Sequence, residues 1–438
     1  MHDRSTSSDR ERSSLASLAL LSLVAGAASG FLGAMFRLAL QQADRWRDAL
    51  IHWTHGYSFL GLALLIALAA AATALAAWLV RRFAPDASGS GIPHVEAVLK
   101  GEKPPAPFPL LPVKFVGGLL AIGAGLALGR EGPTVQMGAS VAHLVGRTFR
   151  RNADDARILL AAGAGAGLAT AFNAPIAGSV FVLEELMRRF DTRITIATLG
   201  ASAAALGVSR IFLGEAPDFA LDPLPYPALG SVPIYLALGV VMGILGIAYN
   251  RAILASLAAA ERLSNVPVEL RAAAVGAAVG LVAWFAPGWV GGGDNITARA
   301  LTGATALALL PAVFALRFAL GAVSYAAGTP GGLFAPLLVL GAQAGLFFGT
   351  LACQWFPTVA MSPTAFAVTG MAAFFTAVVR APVTGIILVI ELTSSDTQLL
   401  SMLAACFTAM LIPTLTGNPP IYDSLGSKTP SASKRGRG

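Results

Sequence analysis

Residues Gly129–Gly138 read Gly-Arg-Glu-Gly-Pro-Thr-Val-Gln-Met-Gly. Gly129 and Gly132 bracket the pair Arg130-Glu131, and Pro133 stands where the first turn of a helix accepts a residue with no N–H. The stretch therefore reads as a glycine-freed loop opening a helix. Such a start offers unpaired N–H groups and the positive end of the backbone dipole, which together suit an anion. Glu131 puts a carboxylate where an anion would be stabilised, so it is expected to compete with one.

The surroundings are apolar. Of 438 residues, 55% are hydrophobic and 12% charged, with a mean hydropathy of +0.70, against about 25% charged in soluble domains. Runs long enough to cross a bilayer, roughly 20 residues, recur at Leu15–Leu40, Leu60–Val80, Ile234–Ala248 and Ala272–Ala286, several of them short or interrupted. The chain reads as an all-α polytopic membrane protein. Forty-seven glycines and 26 prolines predict broken, tilted helices, tolerated in a bilayer only where their ends are protected by protein. The opening residues resemble a cleavable leader, but the apolar run continues to Leu40 and predicts a retained first helix. The basic residues Arg4, Arg10, Arg12, Lys428, Lys434, Arg435 and Arg437 place both ends on the cytoplasmic side by the positive-inside tendency.

Outward from Gly129 the chain repeats itself. Phe83-Ala84-Pro85 with Gly89 and Gly91 recurs 202 residues later as Phe285-Ala286-Pro287 with Gly291 and Gly293. Gly129, Pro133, Gly138 and Gly146 recur 203 later as Gly332, Pro336, Gly341 and Gly349. Gly163, Ala174, Pro175, Gly178 and Glu184 recur 207 later as Gly370, Ala381, Pro382, Gly385 and Glu391. Expected boundaries are a tail at 1–14, a first repeat at 15–216, a connection at 217–233, a second repeat at 234–422 and a tail at 423–438. Arg81 and Arg82 match Ala283 and Trp284, while Arg188 and Arg189 match Ser395 and Asp396. That contrast predicts opposite orientations of the two copies in the membrane.

Duplication sorts the acids. Glu184 and Glu391 match, so they read as packing or capping residues, whereas Glu131 faces Phe334 and Glu185 faces Leu392. An unmatched acid in an apolar segment costs about 2.5 to 3.5 kcal/mol on insertion scales and is a functional candidate. A bound anion would favour the protonated form of Glu131 by like-charge repulsion, which couples anion and proton. Glu185 is either a proton site or a solvated helix end beside Arg188 and Arg189. Ser90, between Gly89 and Gly91, is either a turn residue or a hydroxyl donor to an anion. Gly331-Gly332-Leu333-Phe334-Ala335-Pro336 forms a second glycine-freed helix start with N–H groups at Leu333 and Phe334. Tyr422 alone reads as an interfacial aromatic. Lys114 and Arg380 either pair or bias the field toward anions.

Other classes find little support. Gly163, Gly165 and Gly167 lack the strand a nucleotide loop needs, and His94 and His143 make no metal pattern. Cys353 and Cys406 read as packing residues. No nucleic-acid stripe and no catalytic Ser/His or paired-Asp pattern lies in the apolar segments, so an enzyme is not expected.

From Leu15 to Tyr422 the chain resembles the CLC chloride channel/transporter family, on GSGIP at 89–93, GREGP at 129–133, AFNAP at 171–175, GGLFAP at 331–336 and the Pro-Ile-Tyr ending at Tyr422. The resemblance implies a homodimer with one pore per subunit between inverted repeats. It implies Glu131 as external gating glutamate and Glu185 as internal proton-transfer glutamate. The anion site would comprise Ser90, Gly91, Ile92, Arg130, Gly132, Leu333, Phe334 and Tyr422. Serine at 90 resembles chloride-preferring members. The function implied is proton-coupled chloride antiport, or alternatively a passive chloride channel of the same fold. Chloride and protons would be the transported ions, with no cofactor or metal, in a prokaryotic inner membrane. With 16 residues after Tyr422, the nucleotide-binding module of many relatives is not expected.

Overall fold

The computed structural model describes residues 2–303, 306–358 and 362–428. The expected basic ends at Lys434, Arg435 and Arg437 lie outside them. In the first copy, α1 (His2–Thr54), α2 (Ser58–Phe83), α3 (Ile92–Leu99) and α4 (Leu110–Gly123) lead to α5 (Glu131–Thr148), α6 (Ala153–Phe172), α7 (Pro175–Phe181) and α8 (Thr192–Leu213). In the second, α9 (Val232–Arg262), α10 (Val268–Phe285), α11 (Asp294–Leu301) and α12 (Leu310–Tyr325) lead to α13 (Phe334–Trp355), α14 (Pro363–Val379), α15 (Pro382–Thr393) and α16 (Leu399–Leu415). A last helix, α17 (Ile421–Lys428), starts just after Pro419-Pro420, so the expected tail from 423 begins inside a helix. Six helical stretches are long and apolar enough to cross a bilayer among the described residues. The helix expected to Leu40 continues to Thr54 because Asp44, Arg47, Asp48 and His52 face a cavity where polar side chains stay wet.

The copies run in opposite directions. Equivalent helices α2 and α10 lie antiparallel: the Arg81 guanidinium, near the end of α2, meets Glu269, near the start of α10, at 2.6 Å. At the other end, His55 Nε2 lies 3.1 Å from the Trp284 carbonyl. Helices α7 and α15 cap each other. Glu391 accepts from the N–H groups of Ile176 and Ala177 at 3.0 and 2.8 Å, while Glu184 accepts from those of Val383 and Thr384 at 3.0 and 2.7 Å. An acid at the end of each helix can satisfy the start of the other only if the two are antiparallel, as an in-plane two-fold requires. The matched pair of acids is thus a pair of reciprocal caps.

Matched loops carry matched fastenings. Lys114 Nζ donates to the carbonyls of Ala87 and Gly89 at 3.0 and 2.8 Å. Arg317, 203 residues later, donates to Trp289, Gly291 and Gly292 at 3.2, 2.8 and 3.3 Å. Both cations are buried, and the carbonyl dipoles offset their desolvation. Lys114 and Arg380 are thus both held by backbone carbonyls, Arg380 donating to Asn418 O at 3.0 Å.

Glycine sets the distance between the innermost helices. A Cβ on Gly341 would stand 2.8 Å from Met371 Cα, and one on Gly167 2.6 Å from the Thr134 carbonyl carbon. Backbones in contact at such positions are the membrane form of tight packing. The Gly163-Gly165-Gly167 run is accordingly a helix–helix seam between α5, α6 and α7.

Candidate functional site

Three helix starts converge at the centre, each released by glycine. Gly91, at φ +81°, precedes α3, Arg130 precedes α5 and Leu333 precedes α13. The loops are sewn together by backbone bonds. Gly129 and Gly332, equivalent residues of the two copies, exchange N–H···O bonds of 2.8 and 2.7 Å, and Gly89 N donates to Thr329 O while Gly331 N donates to Gly89 O, each at 3.0 Å. A Cβ on Gly132 would lie 2.7 Å from Ser90 Cα, so α5 starts against the Ser90 loop. Three positive helix ends therefore meet in a buried volume whose N–H groups lack intrahelical partners.

Glu131 occupies that volume. Its residue is 1% exposed, its carboxylate faces the Ala335 N–H, and its Oε2 has no hydrogen-bond partner among the described residues. The side chain folds back over the glycine pair, since a Cβ on Gly332 would stand 3.3 Å from Oε2. Phe334, the matched residue, sends its ring away into an aromatic cluster with Phe181, Phe375 and Tyr422 at 5.5, 4.7 and 6.3 Å.

Two cavities approach the centre. The first, about 700 Å³, ends at Gly129, Arg130, Glu131 and Ala335 and is walled by residues 287–296. The second, about 550 Å³, ends at Gly89, Gly91, Tyr325 and Tyr422 and is walled by the 85–91 loop. These walls are the matched loops after α10 and α2, which leave antiparallel helices, so the cavities open on opposite faces.

Most expected site residues gather here, with three corrections. Tyr422 is not an interfacial aromatic: it is fully buried and its hydroxyl has no partner among the described residues. The Ile92 N–H is already used, donating to Ser90 Oγ at 3.2 Å, so Ser90 is a turn residue whose O–H remains available. Arg130 is also fully engaged. It donates to Ala171 O at 2.9 Å, to Asp294 at 3.0 Å and to Asp218 at 2.8 Å, and Asp218 also pairs with Arg37. Arg130 thus ties the start of α5 to the connecting segment rather than facing the anion volume.

Glu185 lies apart, in a five-residue π-turn, Val182–Leu186, that ends α7. The Met187 N–H bonds to the Val182 carbonyl at 2.8 Å, and such one-turn widenings frequently mark functional positions. The turn directs Glu184 to its cap on α15 and leaves Glu185 buried. Its Oε1 lacks a hydrogen-bond partner among the described residues, with Arg188 3.7 Å away. Glu185 lines its own opening of about 370 Å³ with Arg188, Phe190, Arg380 and Pro420. Buried Glu96, on α3, is the carboxyl that bears on it most strongly.

Sequence reasoning missed Asp218, Asp294, Glu96 and Tyr325. Tyr325 was accessible to it: by the 203-residue offset its match is Ile122, so its hydroxyl exists in one copy only. Asp218 carries no motif and sits in an irregular segment.

Together these features define a polytopic membrane protein with a buried carboxylate at three converging helix starts between two opposed cavities. Residues 72–414 match the family profile described as voltage gated chloride channel, and the chain belongs to that family. It is 36% identical over 428 residues to the H(+)/Cl(-) exchange transporter ClcA of Citrobacter koseri, covering 96% of this chain and 90% of that protein. Against the same-named protein of Vibrio cholerae it is 37% identical over 420 residues, covering 94% and 90%. The solved structure of a slow cyanobacterial Cl−/H+ antiporter superposes with a TM-score of 0.90 at 33% identity, covering 94% of this chain and 97% of that one. A CLC-type fluoride/proton antiporter at 23% identity, with a TM-score of 0.78, shares the fold.

Proposed function

We propose that this chain exchanges chloride for protons across its membrane. The observation that carries the reading is the Glu131 carboxylate, lodged among three helix starts with one oxygen unpartnered. An ionised carboxylate there takes the place of an anion and is held by the same N–H groups. Protonation removes the charge those groups stabilise, so the neutral side chain yields the volume to chloride. Each exchange of carboxylate for chloride then carries a proton with it.

Glu185 supplies the other end of the proton route. Its opening is distinct from the cavity ending at Tyr422, so protons and chloride share the Glu131 side and diverge toward the other. Ser90 and Tyr422 hydroxyls with the Leu333 and Phe334 N–H groups hold the anion. Gly91 and Gly132 let the loops approach, and Arg130 fixes the helix start. No prosthetic group enters the scheme, and the chain is a transporter, not an enzyme. By analogy with its bacterial relatives it acts in a prokaryotic inner membrane, with the Glu131 cavity external and both chain ends cytoplasmic. A second copy covers exposed apolar side chains of α8 and α16 such as Leu199, Leu403 and Phe407, giving a homodimer with one pore per subunit.

The test is proton movement in sealed proteoliposomes under an imposed chloride gradient without an initial pH gradient. Chloride running downhill should drive protons uphill, and Glu131→Ala and Glu185→Gln should each abolish proton movement. Fast chloride flux with flat pH in the unmodified protein would instead make it a passive channel.

A further inference from the structure

The second cavity ends on two tyrosines that arrive from different parts of the chain. Tyr422 comes from α17, which follows α16, and Tyr325 is the last residue of α12. The Tyr325 hydroxyl lies over the Gly89-Ser90 peptide: it accepts from the Ser90 N–H at 3.5 Å, and a Cβ on Gly89 would stand 3.1 Å from it. It also faces the Ser90 side chain. Tyr325 is 7% exposed, and its side chain borders the cavity together with Tyr422. Its two-fold match, Ile122, borders the opposite cavity. The phenol hydroxyl is therefore a feature of one entrance only, while the packing volume is common to both.

Hydrogen-bond accounting leaves protons to spare. Ser90 Oγ accepts from Ile92 and Tyr325 Oη accepts from Ser90 N, so neither contact consumes a hydroxyl proton. Tyr422 Oη has no partner at all among the described residues. Three O–H groups, Ser90, Tyr325 and Tyr422, thus stand at one end of the anion volume. A buried hydroxyl is costly unless it is satisfied, and an anion accepting from the cluster satisfies it with charge-assisted bonds.

We propose that Tyr325 is a third hydroxyl ligand of the transported anion, acting where the anion exchanges cavity water for protein donors, and that it favours small, strongly hydrated anions. The inference rests on the transport reading above and deepens its anion site. A compact anion concentrates charge and gains most from an added O–H donor, while a large polarisable one gains least. The first copy, with Ile122 at the corresponding place, provides no such donor.

Tyr325→Phe keeps the ring and removes only the oxygen. Chloride and thiocyanate binding to the purified full-length protein by titration calorimetry should show chloride about tenfold weaker, the scale of one hydrogen bond to a charge, and thiocyanate changed by less than threefold. Tyr325→Phe combined with Tyr422→Phe should weaken chloride further than either alone. Size-exclusion profiles and melting temperatures matching the unmodified protein establish that the fold is intact. A melting temperature lowered by the missing hydroxyl, with chloride affinity and the chloride-to-thiocyanate ratio unmoved, would reduce Tyr325 to a structural residue and overturn the proposal. So would a double variant no weaker than Tyr422→Phe alone. Failure of the transport reading is seen separately, because the unmodified protein would then bind chloride without driving protons in vesicles.

Discussion

Glu131 and Glu184 are both acids beside helix starts, and their partners separate their roles. Glu184 has its oxygens filled by two N–H groups and the Thr384 hydroxyl, the last at 2.7 Å. Glu131 has Oε2 empty, which leaves it free to leave. The space it moves in is defined by hydrogen atoms at Gly129, Gly132 and Gly332 in place of methyl groups. A Cβ on Gly332 would stand 2.7 Å from Gly132 N and 3.3 Å from both Glu131 Oε2 and Gly129 O, closer than real contacts allow without moving backbone. Gly332→Ala is expected to weaken chloride binding by about fivefold or more in calorimetry, since overpacking costs about 1–3 kcal/mol. Gly207→Ala, on α8 with open space around its Cβ, should bind chloride as the unmodified protein does. Normal chloride affinity in Gly332→Ala would mean that the glycine pair does not set the anion volume.

At the scale of elements, short helices are made stable by one another's ends. Helix α7 has seven residues and α15 twelve, too short to span about 30 Å of hydrocarbon. Their starts lie at the edge of the protein, with Ile176 and Val383 exposed, and within a bilayer an unsatisfied N–H there is expensive. The reciprocal caps from Glu184 and Glu391 resolve this. Removing either acid strands two backbone donors, so Glu184→Ala and Glu391→Ala should each lower the melting temperature of detergent-solubilised protein by a few degrees. The fall should be larger for Glu184, which has the additional Thr384 bond. Proton coupling should survive in the correctly folded fraction of both. Unchanged melting in both variants would remove the caps from the account of stability. The connecting segment is fastened in the same local way: Asn173 donates to Ala216 O at 3.1 Å, Phe219 N donates to Leu392 O at 2.9 Å, and Asp218 links α1 to the start of α5 through Arg37 and Arg130.

At the scale of the whole molecule, antiparallel duplication turns one motif into two entrances. The Phe-Ala-Pro-and-glycine loop after α2 walls one cavity and its copy after α10 walls the other, and the two cavities end on the helix starts at the two-fold centre. In a background with Cys353 and Cys406 replaced, Ser88→Cys and Gly288→Cys, both at exposed loop positions, should react with a membrane-impermeant thiol reagent from opposite sides. Reaction of both from the same side would contradict the inverted arrangement.

What the sequence determined by itself was whatever is written as composition, spacing or repetition. Apolar runs specified a membrane protein, glycine and proline specified broken helices, and the offsets of 202, 203 and 207 residues specified two copies. Comparing the copies then separated the matched caps, Glu184 and Glu391, from the unmatched acids, Glu131 and Glu185, because a symmetric scaffold repeats its supports and an acid present in one copy only is not one of them. The tertiary structure alone decided who meets whom across the chain. Arg130 finds Asp218 and Asp294, 88 and 164 residues away, Tyr422 is buried over Phe334 instead of lying at an interface, and Lys114 fastens the 87–89 loop through its carbonyls. Such pairings carry no local signal, since they depend on how far each helix penetrates and how it is rotated against its neighbours. Those quantities are set by the summed packing of many small side chains, and no single motif records them.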